Sequence, residues 1–193
     1  MTERTRSGRP RSGEVDQAVM STALDLVSSG GFRAVTIEAI AAKSGVAKTT
    51  VYRRWPNRSA VIMDAFMARV GTHALFAPDE PFVDGVRRQM RAMAKAFRGE
   101  DGDLIKALLA ESQFDPELAR AFRERWTLPR REMALAHFRA AADQGLIRRD
   151  ADLETTIDQL YAPFYYRLQL GTGPLSNAYV DALFDHVMQG LRP

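Results

Sequence analysis

Residues 36–58, T-I-E-A-I-A-A-K-S-G-V-A-K-T-T-V-Y-R-R-W-P-N-R, decide the fold. Ile37, Ile40 and Ala41 share one helical face, and Ser44-Gly45 breaks the pattern. A second helix can start near Ala47, with Val46 and Val51 inward and Lys48, Thr49, Thr50, Tyr52, Arg53 and Arg54 outward. Two short helices at a steep angle across a Gly-containing turn describe a helix-turn-helix, whose second helix can enter a DNA major groove. The stretch therefore points to an all-α fold and to a DNA-binding regulator.

Working outward, Thr36 is placed to cap the first of these helices, and its hydroxyl could also reach a phosphate. Upstream, Val15, Val19, Ala23, Leu26 and Val27 recur at helical spacing between Glu14 and Ser29, and Gly30-Gly31 supplies a left-handed stop. Phe32 and Val35 read as core that anchors the helix-turn-helix to this first helix. Residues 1–13 hold four arginines, two glycines and a proline with no aliphatic residue after Met1. Such a segment cannot bury enough apolar surface to offset its ordering entropy, so a disordered basic arm is expected, with a solubilising tail as the plainer alternative. Charge is distributed unevenly: residues 1–60 carry ten Lys/Arg against five Asp/Glu, while the remainder carries 17 against 19. A polyanion-binding third followed by a near-neutral body is what this asymmetry implies.

Beyond Trp55-Pro56, Asn57 is expected to cap a longer helix carrying Val61, Met63, Phe66, Met67 and Val70. Ala77-Pro78-Asp79-Glu80-Pro81 is a break before a helix from about Phe82 to Arg98. Asp115-Pro116-Glu117 starts another helix, Pro129 opens or kinks the next, and Gly145 is a second left-handed cap. Large apolar residues, Leu104, Leu108, Phe114, Leu118, Phe122 and Phe138 among them, mark the intervening helices. Leu153, Ile157, Leu160, Tyr161, Phe164 and Leu168 form one broad stripe, and Val180, Leu183, Phe184, Val187 and Leu191 another. Across the G-T-G-P loop these last two helices could pair with their copies in a homodimer, or simply finish the core of one chain. No period-2 alternation is present, so no sheet is expected.

The composition bears on what else the chain could be. It has no cysteine and only three histidines, which removes disulfides and thiolate metal sites and makes the cytoplasm the expected compartment. No apolar run approaches the roughly 18 residues of a membrane span, and no signal peptide is legible. Asp181, Asp185 and His186 read as a solvated helix face, since the two carboxylates share a face that His186 does not. His137 reads as a satisfied core histidine. No nucleophilic triad or phosphate loop is present, and neither a metal, a cofactor nor an enzymatic activity is expected.

The run A-V-T-I-E-A-I-A-A-K-S-G-V-A-K-T-T-V-Y-R-R-W-P-N-R-S-A-V resembles the head of the tetracycline-repressor (TetR/AcrR) family of bacterial one-component regulators. Thr36, Gly45, Val46, Tyr52 and the aromatic at Trp55 carry the resemblance. It implies an all-α protein of about nine helices: a basic arm at 1–13, a three-helix DNA-binding head at 14–56, and an effector-binding and dimerisation body at 57–193. The chain departs from the family where Ala47 replaces a capping Ser or Thr, a cap typically worth about 1 kcal/mol. Carried across residue by residue, Lys48, Thr49 and Arg53 are candidates for base edges, and Thr36, Thr50, Tyr52 and Arg58 for phosphates, with Arg54 suited to either. A pocket for an unidentified small-molecule effector would draw on Met93, Phe97, Leu109, Trp126, Met133, Phe164 and Tyr165, with Gln113, Arg130 or Tyr161 fixing a polar group. The function implied is a ligand-responsive regulator, usually a repressor, binding a two-half-site double-stranded operator as a dimer through residues 47–54. The alternatives are a helical small-molecule-binding protein, an activator without repressor activity, and a non-specific architectural DNA binder.

Overall fold

The computed structural model describes residues 12–71, 76 and 80–193. Every element among them is helical, and they divide into two compact units at the Ala68–Arg69 bond. The expected arm lies outside the described residues except for Ser12 and Gly13, which already belong to the first helix. Residues 77–79 of the expected break lie outside them too.

The head contains α1 (Ser12–Gly30), a 3-10 turn (Phe32–Ala34), α2 (Ile37–Ser44), α3 (Lys48–Arg54) and most of α4 (Arg58–Val70). Its core gathers Val19 and Ala23 of α1, Phe32, Val35, Ile37, Ile40, Val51 and Trp55, all buried. Each boundary has a local cause. The Thr36 hydroxyl accepts from the Ala39 N–H at 3.0 Å and starts α2. Gly45 ends it in the left-handed region at φ 72°, a conformation that side chains with a Cβ disfavour, so the chain can reverse within three residues. Asn57 Oδ1 accepts from the Ala60 N–H at 2.8 Å and caps α4. The division falls after Ala68 rather than at the expected residue 57 because α4 is tied back to the head. Trp55 Nε1 donates to Asp64 at 2.6 Å, and Arg58 donates to the Phe32 carbonyl at 3.3 Å.

The body is built of α5 (Phe82–Phe97), α6 (Glu100–Ser112), α7 (Pro116–Phe122), α8 (Leu128–Asp143), α9 (Leu153–Leu170) and α10 (Asn177–Gln189). A π turn over Arg123–Thr127 joins α7 to α8 without a break, so the described residues form nine continuous rods. Pro129, with no N–H to give, sits at the start of α8, and the wider turn before it accommodates that missing bond. Helix α5 packs on α6, α9 and α10, around the buried side chains of Leu108, Phe138, Leu160, Phe164 and Phe184.

Four expectations are revised or refined here. Ile157, Leu160, Phe164, Val180, Phe184, Val187 and Leu191 are buried within one chain, so this part of the two C-terminal stripes packs into the body's own core, while Tyr161, Leu168 and Leu183 stay half-buried. Asp181 and Asp185 are not merely solvated. Arg87 reaches Asp185 at 2.6 Å and Arg91 reaches Asp181 at 2.7 Å, pinning α10 to α5. His137 stacks on Phe76 with ring centroids 4.3 Å apart, but its buried Nε2 has no hydrogen-bond partner among the described residues. Burial lowers its pKa, which keeps the ring neutral among its aromatic neighbours. Phe114, one of the large apolar residues expected to mark a helix, is 86% exposed just beyond the end of α6.

Candidate nucleic-acid interface and body cavity

Helix α3 is short, and its position is set from beneath. Val51 is fully buried, Trp55 nearly so, and the Trp55 N–H closes the helix on the Val51 carbonyl at 2.9 Å. At its start, Ala47 offers no side-chain cap; its carbonyl accepts from Thr50 and Val51 at 2.8 and 3.1 Å. With Val51 facing in, the periodicity turns Lys48, Thr49, Tyr52 and Arg53 to solvent. Thr36, at the start of α2, is exposed as well.

The eight candidate DNA residues differ in what they already touch. Arg53 has no hydrogen-bond or ion-pair partner among the described residues and is free to meet a base or a phosphate. Lys48 is paired with Glu38 of α2, on the open surface, and its ammonium lies 5.6 Å from the Tyr52 ring centroid. That pairing holds the Glu38 carboxyl below its usual range and pushes the Lys48 ammonium up. Arg54 turns the other way, to Asp16 of α1, with only 24% of its side chain exposed. Arg58 is half-buried and engaged with the Phe32 carbonyl, and Thr50 is half-buried. Thr36, Lys48, Thr49, Tyr52 and Arg53 thus form the open face, while Arg54 and Arg58 tie the head together.

Within the body lies a cavity of about 270 Å³. Met93, Phe97, Trp126, Met133, Tyr161 and Tyr165 line it; Leu109, Gln113 and Phe164 do not. Phe164 is fully buried in the core behind Phe97, their ring centroids 6.4 Å apart. Gln113 is exposed and folds back on the Leu109 carbonyl at 3.3 Å. The wall is mostly aromatic and aliphatic, with a few polar groups. The Tyr161 hydroxyl donates to Gln89 Oε1 at 2.7 Å, and burial pushes the pKa values of Tyr161 and Tyr165 up, keeping both phenols protonated. Arg130 lies with its guanidinium carbon 3.3 Å from the Trp126 ring centroid. Arg131 is paired with Glu154 and Asp158. No group of three or more His, Cys, Asp or Glu among the described residues could hold a metal.

Two family profiles match the chain: "Bacterial regulatory proteins, tetR family" over residues 19–64, and "Tetracyclin repressor-like, C-terminal domain" over residues 79–187. The chain belongs to the TetR family. Among its TetR-family relatives, the HTH-type transcriptional regulator YdeS of Bacillus subtilis is 33% identical over 189 residues, covering 97% of this chain and 95% of that protein. The DNA-binding transcriptional repressor TetR of Mycobacteroides abscessus is 28% identical over 183 residues, covering 89% and 90%. The crystal structure of the TetR family transcription regulator SCO0332 superposes with a TM-score of 0.74 at 31% identity, over 93% of this chain and all of that one. The protein is thus a DNA-binding transcriptional regulator and not an enzyme, and regulators of this family usually act as dimers. No helix among its described residues is long and apolar enough to cross a membrane.

The structure adds residues to this TetR-family head and body that sequence reasoning missed. Glu38 was legible only as a helix-start acid; Gln89, Arg131 and Asp158 sit on polar helix faces and carried no signal. The Glu38–Lys48 pair would have a consequence for DNA binding through Lys48, which would then exchange a carboxylate for a phosphate or base. Glu38→Gln is expected to raise affinity for random duplex several-fold, because Lys48 no longer has to leave a carboxylate to reach a phosphate. Fluorescence anisotropy against random duplex measures this, and an unchanged affinity would show that Lys48 does not reach the backbone.

Proposed function

We propose that this regulator is a cytoplasmic, homodimeric repressor that binds a two-half-site operator through α3 and releases it when a small molecule occupies the body cavity. The observation that carries the reading is the open Lys48–Thr49–Tyr52–Arg53 face, held rigid by buried Val51 and Trp55. Arg53 and Thr49 suit base edges, the first by its bidentate fork and the second by its methyl group; Thr36 and Tyr52 suit phosphates that set register. A relative named as a repressor supports that sign of regulation. Ligand response is supported by the cavity, whose wall includes Val70 and Gly71 at the end of α4. Two states differing there would have different affinities for effector and for operator, which is the coupling that induction requires.

The dimer would use what the C-terminal helices leave outside the core. Tyr166 and Leu170 on α9 are 57% and 63% exposed and lie four residues apart, on one face. Ala178 and Ala182 on α10 are exposed at the same spacing and would allow close helix approach. The test combines a gel shift against the DNA flanking the protein's own gene with the mass in solution. Wild type is expected to run as a dimer and to prefer one site over random duplex at physiological salt. The double variant Tyr166→Asp, Leu170→Asp is expected to run as a monomer and to lose that preference. A wild-type monomer would overturn the dimer, and the absence of any preferred site would overturn the operator.

A further inference from the structure

The cavity contains a charge that no described residue answers. Arg130 is held by stacking on Trp126 and by two neutral acceptors, the carbonyls of Trp126 and Gly71, each at 3.3 Å. No carboxylate pairs with it among the described residues. Burial lowers its pKa, but from so high a value that the guanidinium stays charged. Arg131, one residue on and also in the wall, is by contrast neutralised by Glu154 at 2.8 Å and by Asp158, so neither it nor Asp158 sets the sign of the site. A half-buried cation without a counter-ion is costly, and the planar fork offers paired donors matched to a carboxylate. Around it, Phe97, Trp126, Tyr161 and Tyr165 supply flat aromatic walls, and the volume lies near the lower end for a small-molecule site.

We infer that the cavity takes a small aromatic monocarboxylate, its ring between these aromatic side chains and its carboxylate on the Arg130 guanidinium. This rests on the cavity being the effector site, yet it is tested separately from operator release. Benzoate, naphthalene-2-carboxylate and 3-phenylpropanoate would each be compared with the matching carboxamide by thermal shift and calorimetry, with 2-(aminomethyl)naphthalene as the cationic counterpart. At least one carboxylate is expected to bind wild type roughly tenfold or more tightly than its amide, the amine not at all. Arg130→Gln is expected to reduce that ratio to about one. Arg130→Lys, which keeps the charge but not the fork, should leave an intermediate ratio and decides the matter if the glutamine variant does not fold. Equal binding of acid and amide to wild type, preference for the amine, an undiminished ratio in both variants, or no binding by any carboxylate would overturn the inference. Operator affinity is then measured with the bound carboxylate present. An unchanged value would remove the induction mechanism while leaving the carboxylate site standing, and weakened operator binding supports both.

Discussion

Replacing Arg53 by Ala is expected to cost about 1–3 kcal/mol of operator affinity with little loss of stability, whereas replacing its neighbour Arg54 is expected to do the reverse. The two residues are adjacent on a seven-residue helix, so they point about 100° apart. One faces solvent with no partner among the described residues, and the other is folded onto Asp16 of α1. For Arg53 the loss falls on binding because truncation removes donors that the free protein does not use. For Arg54 it falls on folding. Both partners are about two-thirds or more sheltered, 24% and 33% exposed, so the charge-assisted contact is worth about 1–2 kcal/mol after allowing for solvent screening. Each kcal/mol moves the melting temperature by roughly 2–8 °C, more for a small cooperative unit than for a large one. Anisotropy titrations against operator and random duplex, beside thermal melts, separate the effects. An equal loss on both DNAs would make Arg53 a phosphate contact. An Arg54→Ala variant with an unchanged melting temperature and weakened DNA binding would mean that Arg54 leaves Asp16 on the operator.

That contrast also marks where the sequence stops being readable. The helix-turn-helix was legible because its determinants are local: the Thr36 cap, the left-handed Gly45, the inward Ile37, Ile40 and Val51, and the aromatic Trp55 all act within a few residues of themselves. The missing cap at Ala47 was legible for the same reason. Arg54 against Asp16 and Arg87 against Asp185 join positions dozens of residues apart, and helical periodicity gives only the face a residue occupies, never the element opposite. The cavity shows the same limit. Met93, Phe97, Trp126 and Met133 on one hand and Leu109 and Phe164 on the other carry similar inward-facing signals, yet Phe164 meets a packed core and Phe97 meets core on one side and a void on the other. A void is a property of several helices at once. Pro129 did signal an irregularity in α8, but its consequence, a π turn that sets Trp126 and Thr127 in the cavity wall, required the neighbouring helices to be in place.

Gly102→Ala is expected to be among the most damaging single substitutions in the body, although it adds one methyl group to a helix. Gly102 is buried in the first turn of α6, just after the chain reverses from α5 through Arg98 and Gly99. A Cβ there would lie 2.6 Å from the Phe97 carbonyl carbon and closer still to its oxygen. The obstacle is backbone, so no rotamer relieves it, and either α6 must lift or Phe97 must move. Phe97 has no room to do so, being 5% exposed with its ring 5.3 Å from Tyr165 and 6.4 Å from Phe164, centroid to centroid. Overpacking of this kind costs about 1–3 kcal/mol where side chains can adjust, and a backbone clash belongs at or above the top of that range. The higher helix propensity of Ala recovers only about 1 kcal/mol. A fall in melting temperature of about 5–10 °C follows for a unit of this size. Because Phe97 is also cavity wall, aromatic carboxylate binding is expected to weaken with it. Gly99→Ala provides the control, since nothing lies within 4 Å of its Cβ position and its loss should stay below about 1 kcal/mol. Melts of the two variants side by side decide the point, and equal melting temperatures would mean that α5 and α6 can separate at their junction without cost.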